Sequence, residues 1–339
     1  MIHGHGDDAY RYGDKVRLDF SSNIYNHADL HGLEDHLTKH IDSCLRHYPE
    51  PEPRELEWIL AEQHHIPREC VMVTSGVTEA IYLLAQLYSG YASVIPQPTF
   101  SEYSDACSMY GHIVSHRRQD ELSHLPEDRL YWICNPNNPS GNVIMMGFMD
   151  YMVNSNRQYT YIVDQSYEAY TRENLFTPRE AVSRPNLVLL HSMTKQYAVP
   201  GIRLGYVTAC AAIINRLREL RRPWSVNALA LEAGRWLVQH NESCIPDLEV
   251  YLAEAERLRS ELKNIKGVRM FETKSTFMLG MLEHGTSAEL KQYLIEEHGI
   301  LIRDCSNFEG LGNQFFRVST QLPWENNQLV AAIEEFMNL

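Results

Sequence analysis

No two of the seven cysteines form a CxxC pair, and their number is odd. Scattered, unpaired thiols of this kind predict a reduced, cytoplasmic protein. Positive charge is also scarce. Thirty Lys and Arg face 44 Asp and Glu, a formal net charge of −14. A surface this acidic repels nucleic-acid phosphates and anionic membranes, so neither is expected as a partner. Long apolar runs are missing. The most apolar stretch, Val143 to Val153, is too short to span a bilayer and contains Asp150. The opening MIHGHGDDAYRYGDK has no apolar core, which argues against a signal peptide. His3 and His5 invite a metal reading, but a solvated tract accounts for them and no metal is assigned. No repeat and no low-complexity tract occurs. With 339 residues, 44% hydrophobic and 22% charged, the chain fits one large globular domain and a smaller one.

Residues 1–30 are polar and irregular, an arm expected to pack on the smaller domain. Helical patterns follow near 31–46 and 54–65. Short apolar runs then alternate with amphipathic ones: CVMVT (70–74), SVIP (93–96), LYWIC (130–134), TYIVD (160–164), LVLLH (187–191) and LGYVT (204–208). This alternation predicts an α/β domain over 31–226, a mostly parallel sheet with helices on both faces. Ligands of such sheets sit beyond the carboxyl ends of the strands. From 227 to 339 the pattern becomes a smaller α+β unit, with strands near 268–271, 277–281, 300–303 and 315–319.

The chemistry-bearing residues cluster at those strand ends. Ser192-Met-Thr-Lys195 follows LVLLH, and Gly201-Ile-Arg203-Leu-Gly205 comes just after. A lysine nucleophile attacks an aldehyde once it sheds its proton, and a nearby Ser and Arg suit a phosphate. S-x-x-K alone is common on exposed turns; the longer string is far rarer. Asn135-Pro-Asn-Asn138-Pro-Ser-Gly141 follows LYWIC. It reads as a turn, yet Asn138 can also donate to a phenolate. Asp164-Gln-Ser-Tyr167 ends TYIVD. Asp164 suits a helix cap or a protonated pyridine nitrogen. Gly76-Val77-Thr78 opens a helix after a strand, where backbone N–H groups bind phosphate. Phe100, with Tyr103, offers an aromatic face. Together these supply every part of a site for pyridoxal 5′-phosphate (PLP).

On these residues the chain resembles the class I/II aminotransferase superfamily, of PLP fold type I, along essentially its whole length. The resemblance implies that Lys195 carries PLP as a Schiff base and that Asp164 pairs with the ring nitrogen. It makes Asn138 and Tyr167 phenolate ligands, with Tyr167 and Asp164 also catalytic. Gly76, Val77, Thr78, Ser192 and Arg203 become the phosphate cup, and Phe100 the stacking ring. Tyr48 resembles a tyrosine reaching the phosphate in a partner subunit, which implies a homodimer with shared active sites. Arg317, in Phe316-Arg317-Val-Ser, resembles the arginine that grips a substrate α-carboxylate.

Within the superfamily, PWSVNALA (223–230), ILIRDCSNFEGL (300–311) and the N-terminal HGHG upstream of LDFSSN (18–23) resemble threonine-phosphate decarboxylases of cobalamin biosynthesis. The family pattern HGGN is HGHGDD here, N-P-T-G is N-P-S-G, and Tyr25-Asn26 follows Asn23 and Ile24 where Asn-Pro is usual. The expected reaction is decarboxylation of L-threonine O-3-phosphate to (R)-1-aminopropan-2-ol phosphate. Its substrate, a small phosphorylated amino acid, would be held by Asn23, Arg303 and Arg317. The alternative is a histidinol-phosphate type aminotransferase. A remoter one is a non-catalytic PLP-binding module of the kind attached to DNA-binding domains.

Overall fold

The computed structural model describes residues 8–124, 130–240 and 247–339, without the side chains of 120, 123 and 124. His3 to Gly6, Cys244 and Pro246 lie outside them. The six cysteines within them are unpaired.

A short strand, β1 (Leu18–Asp19), precedes α1 (His31–Arg46) and α2 (Arg54–His64). Strands and helices then alternate: β2 (Val71–Thr74), α3 (Gly76–Leu87), β3 (Ala92–Gln97), α4 (Glu102–Met109), β4 (Ile113–Arg118), β5 (Leu130–Cys134), α5 (Met146–Ser155), β6 (Thr160–Asp164), α6 (Pro178–Ser183), β7 (Leu187–His191), α7 (Met193–Gln196), β8 (Gly205–Ala209) and α8 (Ala211–Leu220). Seven of the strands form one sheet in the order β2-β8-β7-β6-β5-β3-β4. Pairing from β7 through β4 is parallel, and β8 runs antiparallel to both β2 and β7. Every residue of β2, β5, β7 and β8 is buried, which is why these strands read as unbroken apolar runs. On one face Met72, Trp132 and Leu190 pack with Ile81, Leu84 and Ile214 of α3 and α8. On the other, Ile133 and Tyr161 pack with Met149, Met152 and Ala181 of α5 and α6. The α/β fold class expected from the sequence is the one observed.

The next helix, α9 (Ala228–Gln239), was expected to open the smaller unit. It instead buries Ala230, Leu231, Ala233 and Leu237 against Leu33, Leu56 and Leu60 of α1 and α2. Gly234 permits the approach, since a Cβ there would lie 2.6 Å from Leu56 Cδ2.

The rest comprises α10 (Leu248–Lys263), β9 (Val268–Met270), β10 (Phe277–Leu282), α11 (Ser287–Tyr293), β11 (Ile300–Leu301), β12 (Arg303–Asp304), β13 (Phe315–Ser319) and α12 (Pro323–Met337). A second, antiparallel sheet has the order β12-β13-β10-β9. Leu258, Leu262, Met278, Phe316 and Ile333 fill its core. The caps are local and legible: Asp247 Oδ1 accepts the N–H groups of Glu249 and Val250, and Thr286 with Glu289 forms a capping box. β1 pairs in parallel with β11, and Phe20 sits fully buried in this second core. A side chain of that size contributes about 1.5–3 kcal/mol on burial. The chain after β1 therefore runs between the two cores, past the carboxyl ends of β5, β6 and β7.

Candidate active site

A cavity of about 690 Å³ opens at those strand ends. Lys195 reaches it from α7, whose N-cap Ser192 Oγ accepts the Lys195 backbone N–H at 3.4 Å. The Tyr170 hydroxyl donates to the Lys195 carbonyl at 2.5 Å. Lys195 Nζ donates to the Ser22 carbonyl at 2.8 Å. Asp164, the last residue of β6, is 4% exposed. Its Oδ2 accepts from the Tyr103 hydroxyl at 2.6 Å and its Oδ1 from the Ser166 N–H at 2.9 Å. Burial raises its pKa above the ordinary value, and the Ser166 and Tyr103 hydrogen bonds oppose the rise. Both are neutral donors, so the buried carboxylate is suited to a cationic N–H.

The turn from β2 into α3 builds the opposite end. Gly76 has φ +74° and a Cβ there would lie 2.9 Å from Arg203 Nη2, so glycine lets the guanidinium approach. Arg203 itself sits in the left-handed region at φ +60°, where a non-glycine residue carries strain of the kind found at functional sites. Gly205 is needed for closeness too: a Cβ would lie 2.9 Å from both the His191 carbonyl and the Val77 nitrogen. Val77, Thr78, Ser192, Thr194 and Arg203 all line the cavity. The first N–H groups of α3 and one arginine suit this end to an anion.

Arg317 of β13 enters from the second core, 4% exposed. It donates through Nη1 to Asn138 Oδ1 and through Nη2 to the Ser21 carbonyl, and its Nε is buried without a partner. Burial pulls its pKa down and the Tyr167 hydroxyl opposes this. Tyr167 packs on Phe277 with ring centroids 4.7 Å apart. Phe100 stands edge-on to Tyr103 at 5.7 Å. Phe100, Asn138 and Tyr167 all face the cavity.

Two of the expected substrate residues lie outside the cavity wall. Asn23 is buried beside Tyr167 at φ +50°, while Ser21, Ser22 and Ile24 form the cavity wall. Arg303 stands opposite Arg317 across β12 and β13, outside that wall, and its Nη2 donates to Asn307 Oδ1 at 2.7 Å. The pair share a register position, but the Asn307 contact and the ring of Phe308, 5.3 Å from the guanidinium, hold the Arg303 side chain against the loop that follows β12. Tyr48 is 88% exposed, its ring tilted against Trp224 at 5.6 Å between centroids, and is not part of its own cavity's wall. Sequence reasoning gave no role to Ser22 or Tyr170 and saw only an aromatic face in Tyr103. Their roles run through contacts across 173, 25 and 61 positions.

A basic end, a buried carboxylate and a lysine lining one cavity fit PLP, and the unpartnered Arg317 Nε is left for a further acceptor. Residues 15–333 match the family model of class I and II aminotransferases, and the chain belongs to that family. It is a PLP-dependent enzyme. The crystal structure of L-threonine-O-3-phosphate decarboxylase from Porphyromonas gingivalis is similar, with a TM-score of 0.92 and 34% identity. That match covers 95% of this chain and 100% of that one. Threonine-phosphate decarboxylase of Salmonella typhimurium is 28% identical over 94% of this chain and 91% of its own. Histidinol-phosphate aminotransferase of Aquifex aeolicus is also 28% identical, over 86% and 84%. Among the described residues no helix is long and apolar enough to cross a membrane.

Proposed function

We propose that the enzyme decarboxylates L-threonine O-3-phosphate to (R)-1-aminopropan-2-ol phosphate and CO₂. The observation that carries this reading is the 34% identity to the Porphyromonas gingivalis enzyme, with nearly all of both chains matched. Equal identity to curated members of both activities leaves transamination of histidinol phosphate as the second reading.

In this reading Lys195 Nζ would hold the cofactor through its aldehyde, and Asp164 Oδ would accept from its ring N–H. Asn138 and Tyr167 hold the phenolate oxygen, and Phe100 covers the ring. Gly76, Val77, Thr78, Ser192 and Arg203 hold the phosphate. Bound PLP supplies a sink for the electron pair released when the Cα–carboxylate bond breaks. Arg317 orients that carboxylate through its planar fork, trading its bonds to Asn138 and the Ser21 carbonyl for bonds to substrate. Once the substrate amine replaces Lys195 on the aldehyde, the freed Lys195 Nζ would return a proton to Cα. Arg303, in register with Arg317 and close enough to feel its charge, would add a second cation for an incoming phosphate dianion, with Asn23 as a further donor. Holding the carboxylate bond, rather than Cα–H, perpendicular to the ring selects decarboxylation.

The test supplies threonine O-phosphate in one reaction and histidinol phosphate with 2-oxoglutarate in another. CO₂ release in the first, without glutamate in the second, is expected. Glutamate from histidinol phosphate with no CO₂ from threonine phosphate would replace the proposal by the aminotransferase reading.

A further inference from the structure

Helices α1 and α9 pack closely because Gly32 admits Trp236: a Cβ on Gly32 would lie 2.8 Å from the indole Cζ2. One turn further along α1 stands His36, and one more turn brings His40. Their rings lie side by side at 4.3 Å between centroids. Residues four apart share a helix face, and that face looks onto Glu232 of α9. His36 Nε2 lies 2.7 Å from Glu232 Oε1, and His40 Nε2 lies 3.9 Å from the same oxygen. Among the described residues this is the one group of three His, Cys, Asp or Glu side chains whose ligand atoms all lie within 4.8 Å of one another.

The tautomer of His40 is fixed by its neighbour. His40 Nδ1 faces the His36 carbonyl at 2.8 Å. A carbonyl only accepts, so Nδ1 carries the hydrogen, and in the neutral ring Nε2 keeps its lone pair toward Glu232. Metal-ligating histidines are oriented in this way, by a hydrogen bond from the ring nitrogen that does not ligate. The Glu232 carboxylate is oriented as well, since Arg235 Nη2 donates to its other oxygen. The side chains are 26%, 43% and 15% exposed for His36, His40 and Glu232, so an ion has a way in.

We propose that His36, His40 and Glu232 form a binding site for a divalent transition-metal cation of the zinc class, clamping α1 to α9. Two imidazoles and one carboxylate, with water in the fourth position, suit zinc rather than calcium or magnesium, which prefer oxygen ligands. The competing account is a surface network in which His36 and Arg235 simply neutralise Glu232, worth little to stability. That network makes no provision for two imidazoles around one oxygen, and it predicts no saturable metal binding. The proposed site is independent of the substrate reading.

The holoenzyme, stripped with chelator and dialysed, is titrated with Zn²⁺ by calorimetry, and Co²⁺ is added separately to read visible absorption. One Zn²⁺ per chain is expected, with a rise in melting temperature. His36→Ala, His40→Ala and Glu232→Gln should each weaken binding about tenfold or more, a loss at least equal to that for an outer-shell partner. Each should also abolish the Co²⁺ bands. The double variant His3→Ala/His5→Ala should bind as the parent does. Metal-free melting curves establish that the variants fold, and His40→Gln replaces His40→Ala should that one unfold. No saturable Zn²⁺ binding, binding unchanged in the three variants, or binding lost only in the His3/His5 variant would each overturn the proposal.

Discussion

The Tyr103 hydroxyl donates to Asp164 Oδ2 at 2.6 Å, inside a site where Tyr103 is 1% exposed and Asp164 4%. Tyr103 comes from α4 and Asp164 from the end of β6, so the bond ties a helix to the sheet at the base of the cavity. Burial pushes the Asp164 pKa up, and this hydrogen bond opposes that. Tyr103→Phe should therefore raise it further and leave less carboxylate to face a ring N–H. Hydrogen bonds to charged groups contribute about 1.5–3 kcal/mol, so PLP affinity should fall about tenfold or more at neutral pH and recover in part as pH rises. Fluorescence titration of the apoenzyme with PLP checks this. Equal affinity at every pH would show the bond has no part in tuning Asp164.

Lys195→Ala should bind PLP without covalent attachment. The purified parent is expected to be yellow and to lose its visible band on borohydride treatment, with the label retained on Lys195. The variant should lose nearly all turnover, because the nucleophile and the proton carrier go together. Persistence of a borohydride-sensitive band in the variant would rule out Lys195 as the attachment point.

Tyr48 projects from the chain just beyond α1 and leans on Trp224, itself 52% exposed, with Leu45 also exposed nearby in sequence. If this ring completes a neighbour's phosphate site, Tyr48→Ala and Lys195→Ala subunits are each inactive alone. Mixing them should restore part of the activity, since one site of each mixed dimer is intact. A fully active monomer in sedimentation at assay concentration would refute the shared site.

His64 packs on Tyr206 and near His191, and burial together with the His191 charge lowers its pKa to about 4. Glu168 works in the opposite direction and His65 in the same one as His191. The unfolded chain binds this proton near the ordinary value of 6.5, so between those two pH values the unfolded state holds more protons. Stability from this group is complete above 6.5 and is lost as pH falls toward 4, by up to about 3 kcal/mol at 1.36 kcal/mol per pKa unit. Urea denaturation across this range should show the loss. His64→Gln should flatten the slope; an unchanged slope would place the acid sensitivity elsewhere.

The central strands were legible because burial on both faces makes them continuous apolar runs, as in LYWIC and LVLLH. β4 was not. It is an edge strand, paired only with β3, and its IVSHRR keeps four polar residues half-covered or exposed. β1 has two residues and exists through pairing with Ile300 and Leu301, a partner no local pattern announces. The cofactor end of the site was readable because its parts are turn and helix-start motifs at strand ends. The substrate end was not. Arg303 and Arg317 are register partners and share one sheet face, so no strand pattern separates them; the Asn307 and Phe308 loop holds Arg303 back.

The segment after β1 gives its Ser21 carbonyl to Arg317 and its Ser22 carbonyl to Lys195. Arg317 lies 296 positions later. During synthesis, Phe20 and its neighbours thus emerge long before the strands that shelter them, and stay exposed to solvent or chaperones for most of translation. A nascent chain that stops short of β13 lacks Arg317 and part of the cover for Phe20. The pocket can therefore close only after the last part of the chain has been made.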